Sequence, residues 1–310
     1  MEIKENNSKE EWEDFLATQR CVFLQSTFWG DFKERYQKVK RIEARKDGKI
    51  IGVCQFFEEK SFFGNYLYIP FGPVSELQEV REKLLETILK YGKESKNIFL
   101  RVEPLYDIKK GKIQFSRIQP QKTLISKINK PTEEIMKEFH STTRYNVRYA
   151  KRKEVVVKKG ESVDSFYGLL VETKKRQRFS SYPKEYFEKL LNVKGVELVY
   201  ALYNDKVICA IILIYFNKTV TFLHSASDYK MRHLKAPALL RFESIERAKE
   251  KGCINYDFWG FDEKRFPGVT DYKKGFGGEE AIYPLGKDFP IRKISYLIYK
   301  LATQIKRRIK

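Results

Sequence analysis

Near the end of the sequence, Asp271-Tyr272-Lys273-Lys274 runs directly into Gly275-Phe276-Gly277-Gly278. Adjacent lysines bring two cations to one place, and glycines allow backbone to approach a ligand closely. That combination suits a phosphate, or the oxyanion that develops when a carbonyl carbon is attacked. A surface lysine pair is the plain alternative. Just upstream, Tyr256-Asp257-Phe258-Trp259-Gly260-Phe261 reads as a buried strand closed by a glycine. Arg144, Arg148 and Arg152 fall at i, i+4 and i+8 and form one basic stripe on a helix. Such a stripe is either a solvated face or a contact surface for nucleic-acid phosphates. The sequence has no nucleophile elbow, no HExxH and no P-loop pattern. His140, His224 and His233 have no carboxylate partner at a telling spacing, so no catalytic histidine and no metal site are expected.

Composition bounds the setting. The 310 residues allow one large or two ordinary domains, each with a real core. Cys21, Cys54, Cys209 and Cys253 lie far apart without CxxC spacing and read as reduced residues of a cytosolic protein. The polar, acidic start from Met1 to Asp14 predicts no signal peptide, and no apolar run is long enough to span a bilayer. The formal net charge of +20 points to polyanionic partners, unless it only keeps a lysine-rich protein soluble.

The elements that must position these residues come in two matched sets. Ala44 to Val53 and Ala201 to Ala210 each read as strand, tight polar turn and apolar strand, which is a hairpin signature. An amphipathic helix precedes each hairpin: Ser8 to Gln19, with Ser8 and Glu11 as a capping box, and Val163 to Gln177. A helix and then a strand follow each: Glu79 to Ser95 and Asn97 to Val102, then Ala238 to Lys251 and Ile254 to Phe258. The same order at half-chain spacing predicts a duplicated α+β domain. Pro131 opens a helix running into His140–Lys153 between the halves. A last helix, Ile291 to Lys310, carries Ile294, Leu297, Ile298, Leu301, Ile305 and Ile309 on one side and a basic tip. That apolar side is expected to be core, with the tip available to an anionic membrane surface.

This order resembles the GNAT acyltransferase fold, and the duplicated form resembles the Fem family (FemA-, FemB- and FemX-like) of aminoacyl-tRNA-dependent transferases, which build peptidoglycan cross-bridges. The resemblance rests on Tyr256–Phe261, Asp271–Gly278, the Thr143–Ala150 run, Phe166–Phe179, and Gln25-Ser26-x-x-Trp29-x-x-x-Lys33. It covers nearly the whole chain. The stretch from Arg178 to Leu198 is too short for the helical arm some members carry, so the compact type is implied.

The resemblance implies two tandem GNAT-like domains, residues 1–140 for the acceptor and 141–287 for the donor, with the C-terminal helix (288–310) packing back on the first. It implies transfer of an amino acid from aminoacyl-tRNA to the stem-peptide amine of a peptidoglycan precursor, either lipid II or UDP-MurNAc-pentapeptide. No cofactor is implied. The loop Tyr229–Ala238, where a GNAT enzyme would cradle coenzyme A pyrophosphate, lacks glycines. By the same resemblance Lys273 and Lys274 are the catalytic or tRNA-phosphate candidates, and Lys273 matches better by position. Glu103, with Asp107 as competitor, would hold the acceptor amine or relay its proton. Lys33 and Arg176, with Arg178 as fallback, would bind the acceptor phosphate, and Tyr256 would also line the substrate site. Arg144, Arg148 and Arg152 become possible tRNA contacts. A cytoplasmic place, peripheral to the inner membrane face and without a stable protein partner, is expected. The alternatives are a GNAT-like N-acyltransferase with another donor, or a non-catalytic basic RNA- or membrane-binding protein.

Overall fold

The computed structural model describes residues 1–113, 117–177 and 180–308. It divides into two compact units: Met1–Gln121 together with the segment from Tyr283 onward, and Lys122–Ile282. The first unit contains β1 (Glu2–Glu5), α1 (Lys9–Ala17), α2 (Thr27–Glu34), β2 (Lys38–Lys46), β3 (Lys49–Glu59), β4 (Tyr66–Pro70), α3 (Gln78–Glu94), β5 (Phe99–Glu103) and β6 (Lys112–Ile113). The second contains β7 (Lys122–Lys127), α4 (Thr132–Glu138), α5 (Ser141–Arg152), β8 (Val156–Lys159), α6 (Val163–Gln177), α7 (Lys184–Leu191), β9 (Val196–Tyr203), β10 (Lys206–Phe216), β11 (Thr219–Ser227), α8 (Ala236–Glu250), β12 (Asn255–Asp257), α9 (Pro267–Lys274) and β13 (Glu279–Ile282). The chain then returns to the first unit through β14 (Lys287–Pro290) and α10 (Lys293–Arg308).

Each unit holds a seven-stranded sheet, in the order β1-β2-β3-β4-β5-β14-β6 and β13-β7-β12-β11-β10-β9-β8. The hairpins close as their turn residues require. Asp47 and Gly48 in one, Asn204 and Asp205 in the other, take left-handed φ values, the geometry of a two-residue turn that follows the strand twist. Both hairpins also bulge at the same place. Ala44 faces Gly52 and Arg45 faces Ile50, skipping Ile51; Ala201 faces Cys209 and Leu202 faces Val207, skipping Ile208. A bulge inserts one unpaired residue and is a built feature, so its repetition is strong evidence of duplication. In both units a helix crossover then sets two strands parallel, β4 beside β5 and β11 beside β12. One face of each sheet buries an aliphatic core, around Ile69, Leu84 and Ile88 in the first unit and Ile211, Leu240 and Ile245 in the second.

Three expectations need correction. The division falls before Lys122 and not after residue 140, because β7 is hydrogen-bonded into the second sheet beside β12 and β13. The helix from Pro131 breaks at Phe139–His140, both extended, where the His140 amide donates to Gly275 O at 2.9 Å. The third concerns α10. It does pack within the first unit, but through Tyr296 and Tyr299, whose rings meet Phe99 at 5.3 and 4.9 Å. Its Ile294, Leu297, Ile298, Leu301 and Ile305 are exposed. The physical reason is the buried Arg101–Asp288 ion pair beneath the helix, bidentate at 2.9 Å in both arms. A buried pair needs its remaining polar valences met. Tyr296 donates to Asp288 Oδ2 at 3.0 Å and Tyr299 takes a 3.4 Å contact from Arg101, which aliphatic side chains could not supply. Ile309 lies outside the described residues.

Candidate active site

In the second unit β11 and β12 pair only over Thr219–Thr221 and Asn255–Asp257. Beyond that point β11 continues while the other chain turns away, so the parallel strands part at their carboxyl ends. Crevices of this kind are where open sheets hold ligands. Beside the parting, β11 is itself irregular. Ile212 faces His224 and Leu213 faces Phe222, leaving Leu223 as the extra residue.

Lys273 reaches this place from the last turn of α9. Its side chain is 7 % exposed, and its ammonium donates to the carbonyl oxygens of Trp259 at 2.7 Å and Gly260 at 2.6 Å. Those carbonyls are aimed by the turn after β12. Trp259 has φ +53°, a conformation that strains a bulky residue by roughly 1–3 kcal/mol. Its amide donates to Asp257 Oδ1 at 2.8 Å, and that carboxylate also accepts from the Thr123 hydroxyl. Asp257 therefore pins the turn whose carbonyls hold Lys273.

Burial sets the electrostatics. It pushes Lys273 down to about 7, the neighbouring Arg241 pushes the same way, and the Asp257 charge opposes them more weakly. Burial likewise lifts Asp257 to about 6 against its hydrogen bonds and Lys273. Arg241 on α8 lies over Phe222, its guanidinium carbon 3.2 Å from the ring centre. Its Nε is buried with no hydrogen-bond partner among the described residues. A buried lysine poised near neutrality can hold or release a proton at working pH, as a catalytic group must. An ammonium has three donors, and the two carbonyls use two of them.

Lys274 differs in every respect. It is partly exposed and pairs with Glu263 at 2.6 Å and Glu280 at 2.8 Å, which raise its pKa. The glycines that follow do not open backbone to a ligand. A Cβ at Gly275 would lie 2.6 Å from Thr143 Oγ1, one at Gly277 2.8 Å from Glu138 O, and one at Gly278 2.8 Å from Ile125 O. They let the turn press against α4, α5 and β7. Tyr256, expected to line the substrate site, is fully buried instead, its hydroxyl 2.8 Å from Ser244 Oγ. A 3.4 Å contact from Arg241 Nη1 completes its surroundings, so it supports the cluster from behind.

Arg176 is exposed near the end of α6, its guanidinium 4.6 Å from the Tyr229 ring centre. Arg232 approaches the same ring at 4.3 Å. Arg178 lies outside the described residues. On α5, Arg144 donates to Phe139 O, and with Arg148 it lines a cleft of about 450 Å³ closed by Thr132, Glu133, Met136 and Lys137. Arg152 is exposed one turn further on.

In the first unit the Gln-Ser-x-x-Trp-x-x-x-Lys pattern is a positioning device. Gln25 bridges Gln55 O at 3.0 Å and Pro70 O at 2.7 Å, Ser26 caps α2 by accepting from Trp29 N, and Trp29 is buried. This fixes the helix whose last turn carries Lys33. Lys33 is half-buried, and burial lowers its pKa against the pull of Glu59. Glu103, ending β5, is fully buried. It accepts from Tyr68 Oη at 2.9 Å, Ile118 N at 2.5 Å and Gln119 N at 2.8 Å. Both its oxygens thus anchor the chain at 118–119. Arg101, on the same strand, pairs with Asp288 and not with Glu103. Asp107 stands in solvent, 3.6 Å from Lys287.

Two bulged hairpins, two parallel crossover pairs and a buried lysine at the parting of the second define a duplicated acyltransferase-type fold with a polar centre in its second unit. The FemAB family profile matches residues 7–131, 111–202 and 196–304. The chain belongs to the FemAB family. It is 27 % identical over 195 residues to the lipid II:glycine glycyltransferase of Staphylococcus saprophyticus, covering 54 % of this chain and 46 % of that protein. Over 216 residues it is 27 % identical to that of Staphylococcus haemolyticus, covering 60 % and 51 %. The chain thus spans about half the length of the curated relatives it matches. Among solved structures, FemX superposes with a TM-score of 0.85 at 19 % identity over 97 % of this chain and 100 % of its own. A tandem GNAT protein of the clavulanic acid pathway superposes at 0.57 and 9 % identity, over 94 % and 98 %. The duplicated GNAT-like fold is therefore shared with both.

Asp257, Arg241 and Thr123 had no role assigned from sequence. Two of them left a signal: an acid inside the apolar run Tyr256–Phe258, and an arginine between Leu240 and Phe242 on a buried helix face.

Proposed function

We propose that this protein is an aminoacyltransferase that moves an amino acid from aminoacyl-tRNA to the side-chain amine of the third residue of a peptidoglycan stem peptide. The observation that carries the reading is Lys273, buried and held near neutrality at the parting of β11 and β12, in a chain of the FemAB family. Matched relatives named as lipid II:glycine glycyltransferases support the acceptor class. In this reading Lys33 and Arg176 are each a candidate contact for an anionic group of a substrate. With a lipid-linked acceptor, the enzyme works at the inner membrane face.

The chemistry asks little of the protein, because the donor ester is already activated. The amine nitrogen attacks the ester carbonyl carbon, a C–N bond forms, and the carbonyl electron pair moves onto oxygen. Collapse of that oxyanion expels the terminal ribose oxygen, which takes a proton as the amine loses one. Lys273 directs its third N–H at the oxyanion, and with a pKa of about 7 it can pass protons between amine and ribose oxygen. Burial sets that value, and Arg241 and Asp257 adjust it from opposite sides. Lys274, held by two glutamates, takes no part.

The test is transfer of a radiolabelled amino acid from charged tRNA to lipid II or UDP-MurNAc-pentapeptide, with and without prior ribonuclease. Ribonuclease-sensitive transfer is expected. Transfer from an acyl coenzyme A that survives ribonuclease overturns the reading in favour of an ordinary N-acyltransferase. RNA or vesicle binding with no transfer replaces it with a non-catalytic role.

A further inference from the structure

The unexplained feature of the first unit is the outer face of α10. At 100° per residue, Ile294, Leu297, Ile298, Leu301 and Ile305 cluster on one side, and Tyr296, Tyr299 and Thr303 lie opposite. The tyrosine side is anchored on the Arg101–Asp288 pair, so all five aliphatic residues face water, Ile294 with 76 % of its surface and Leu301 with 60 %. Beside the helix, the turn between β3 and β4 presents Phe62 at 96 % exposure. Its ring is 5.3 Å from Phe63, which is 6.5 Å from Tyr299. A continuous aliphatic stripe of this length on a surface marks an interaction site.

Charge identifies the occupant. From Ile291 to the end of the sequence there are seven lysines and arginines and no aspartate or glutamate. Lys293 and Lys300 sit two turns apart on one flank of the stripe, and the last residues are Lys306-Arg307-Arg308-Ile309-Lys310. A second copy meeting the first about a two-fold axis would bring these cations together. A basic helix with one aliphatic face and no acids is instead suited to the boundary of an anionic bilayer, its apolar side among the acyl chains and its lysines among the phosphates. No described helix is long and apolar enough to cross a membrane, so the helix would lie on the surface.

We propose that α10, with Phe62 as a second anchor, docks this protein on anionic lipid. The inference stands apart from the transferase reading, since lipid binding is measured without any donor or acceptor. The experiment is co-sedimentation of the full chain with phosphatidylcholine vesicles, alone or mixed with phosphatidylglycerol. Binding to the mixed vesicles is expected, at least about tenfold tighter than to the neutral ones and weakened by salt. Leu297→Glu with Leu301→Glu should weaken it at least about tenfold without changing the thermal midpoint, because both residues are exposed. Phe62→Ser should weaken it less, and serves as the second variant. Wild-type protein that ignores both vesicle types, or a double variant that binds as well as wild type, overturns the proposal. So does a concentration-dependent dimer that the double variant dissolves, which would assign the stripe to self-association.

Discussion

Replacing Lys273 by methionine should make the protein more stable while abolishing its activity. The ordinary lysine value of 10.5 falls to about 7 in the folded chain, so the unfolded chain binds the proton more tightly. Between those values the unfolded state carries more protons, and stability therefore rises with pH across that window. At neutral pH the linkage costs the wild type roughly 4 kcal/mol, on the order of three pH units' worth of proton affinity. Lys273→Met removes that cost but leaves the Trp259 and Gly260 carbonyls without their partner, at about 1 kcal/mol or more each. The net expectation at neutral pH is a gain of about 1–2 kcal/mol. The sharper readout is the slope. From about pH 7.5 to about pH 9.5 the wild type should gain about 2.5 kcal/mol that the methionine variant does not, in urea unfolding followed by circular dichroism. This window lies above the value of about 6 for Asp257, so that group does not confuse the difference. A methionine variant that is less stable at every pH, with the same slope as wild type, would mean that Lys273 does not titrate in this window. Lys273 would then be a structural tie for its turn.

The remaining predictions concern turnover. Lys273→Ala should lower kcat by about a hundredfold or more with little change in KM, as for loss of an oxyanion donor. Lys274→Ala should stay within about twofold in the same assay, since its ion pairs are solvent-screened. Asp257→Asn removes the charge that holds Lys273 up, so the limb of the pH–rate profile near 7 should move to lower pH; an unmoved limb rejects the coupling. Lys33→Ala and Arg176→Ala should each raise KM for the acceptor about tenfold with kcat nearly unchanged, and unaltered kinetics in both would remove them from the site.

Much of the scaffold was legible because local chemistry fixes it. Asp47-Gly48 and Asn204-Asp205 accept left-handed backbone, Ser8 caps α1 by accepting from Glu11 N at 3.2 Å, and amphipathic patterning marks α1 and α6. What misled were features whose meaning depends on distant partners. The stripe on α10 has the periodicity of a core face, yet the buried Arg101–Asp288 pair draws the tyrosine side inward. The glycines after Lys274 resemble a ligand loop, yet the close approach they permit is to Glu138 and Ile125. Glu103 has the position of a catalytic acid, yet backbone amides fifteen or so residues on take both its oxygens. Lys273 and Lys274 are neighbours in sequence. Only the helical turn of α9 sends one inward to the carbonyls and the other out to glutamates.

In the proposed reaction the Lys273 centre joins a tRNA-borne amino acid to a stem-peptide amine. The most direct test is tandem mass spectrometry of the acceptor after incubation with a pool of charged tRNAs. A single-residue mass gain on the side-chain amine of stem-peptide residue three is expected, strongly reduced with Lys273→Ala and absent after ribonuclease. A gain that appears with acyl coenzyme A in place of tRNA, or that persists undiminished in Lys273→Ala, would contradict it.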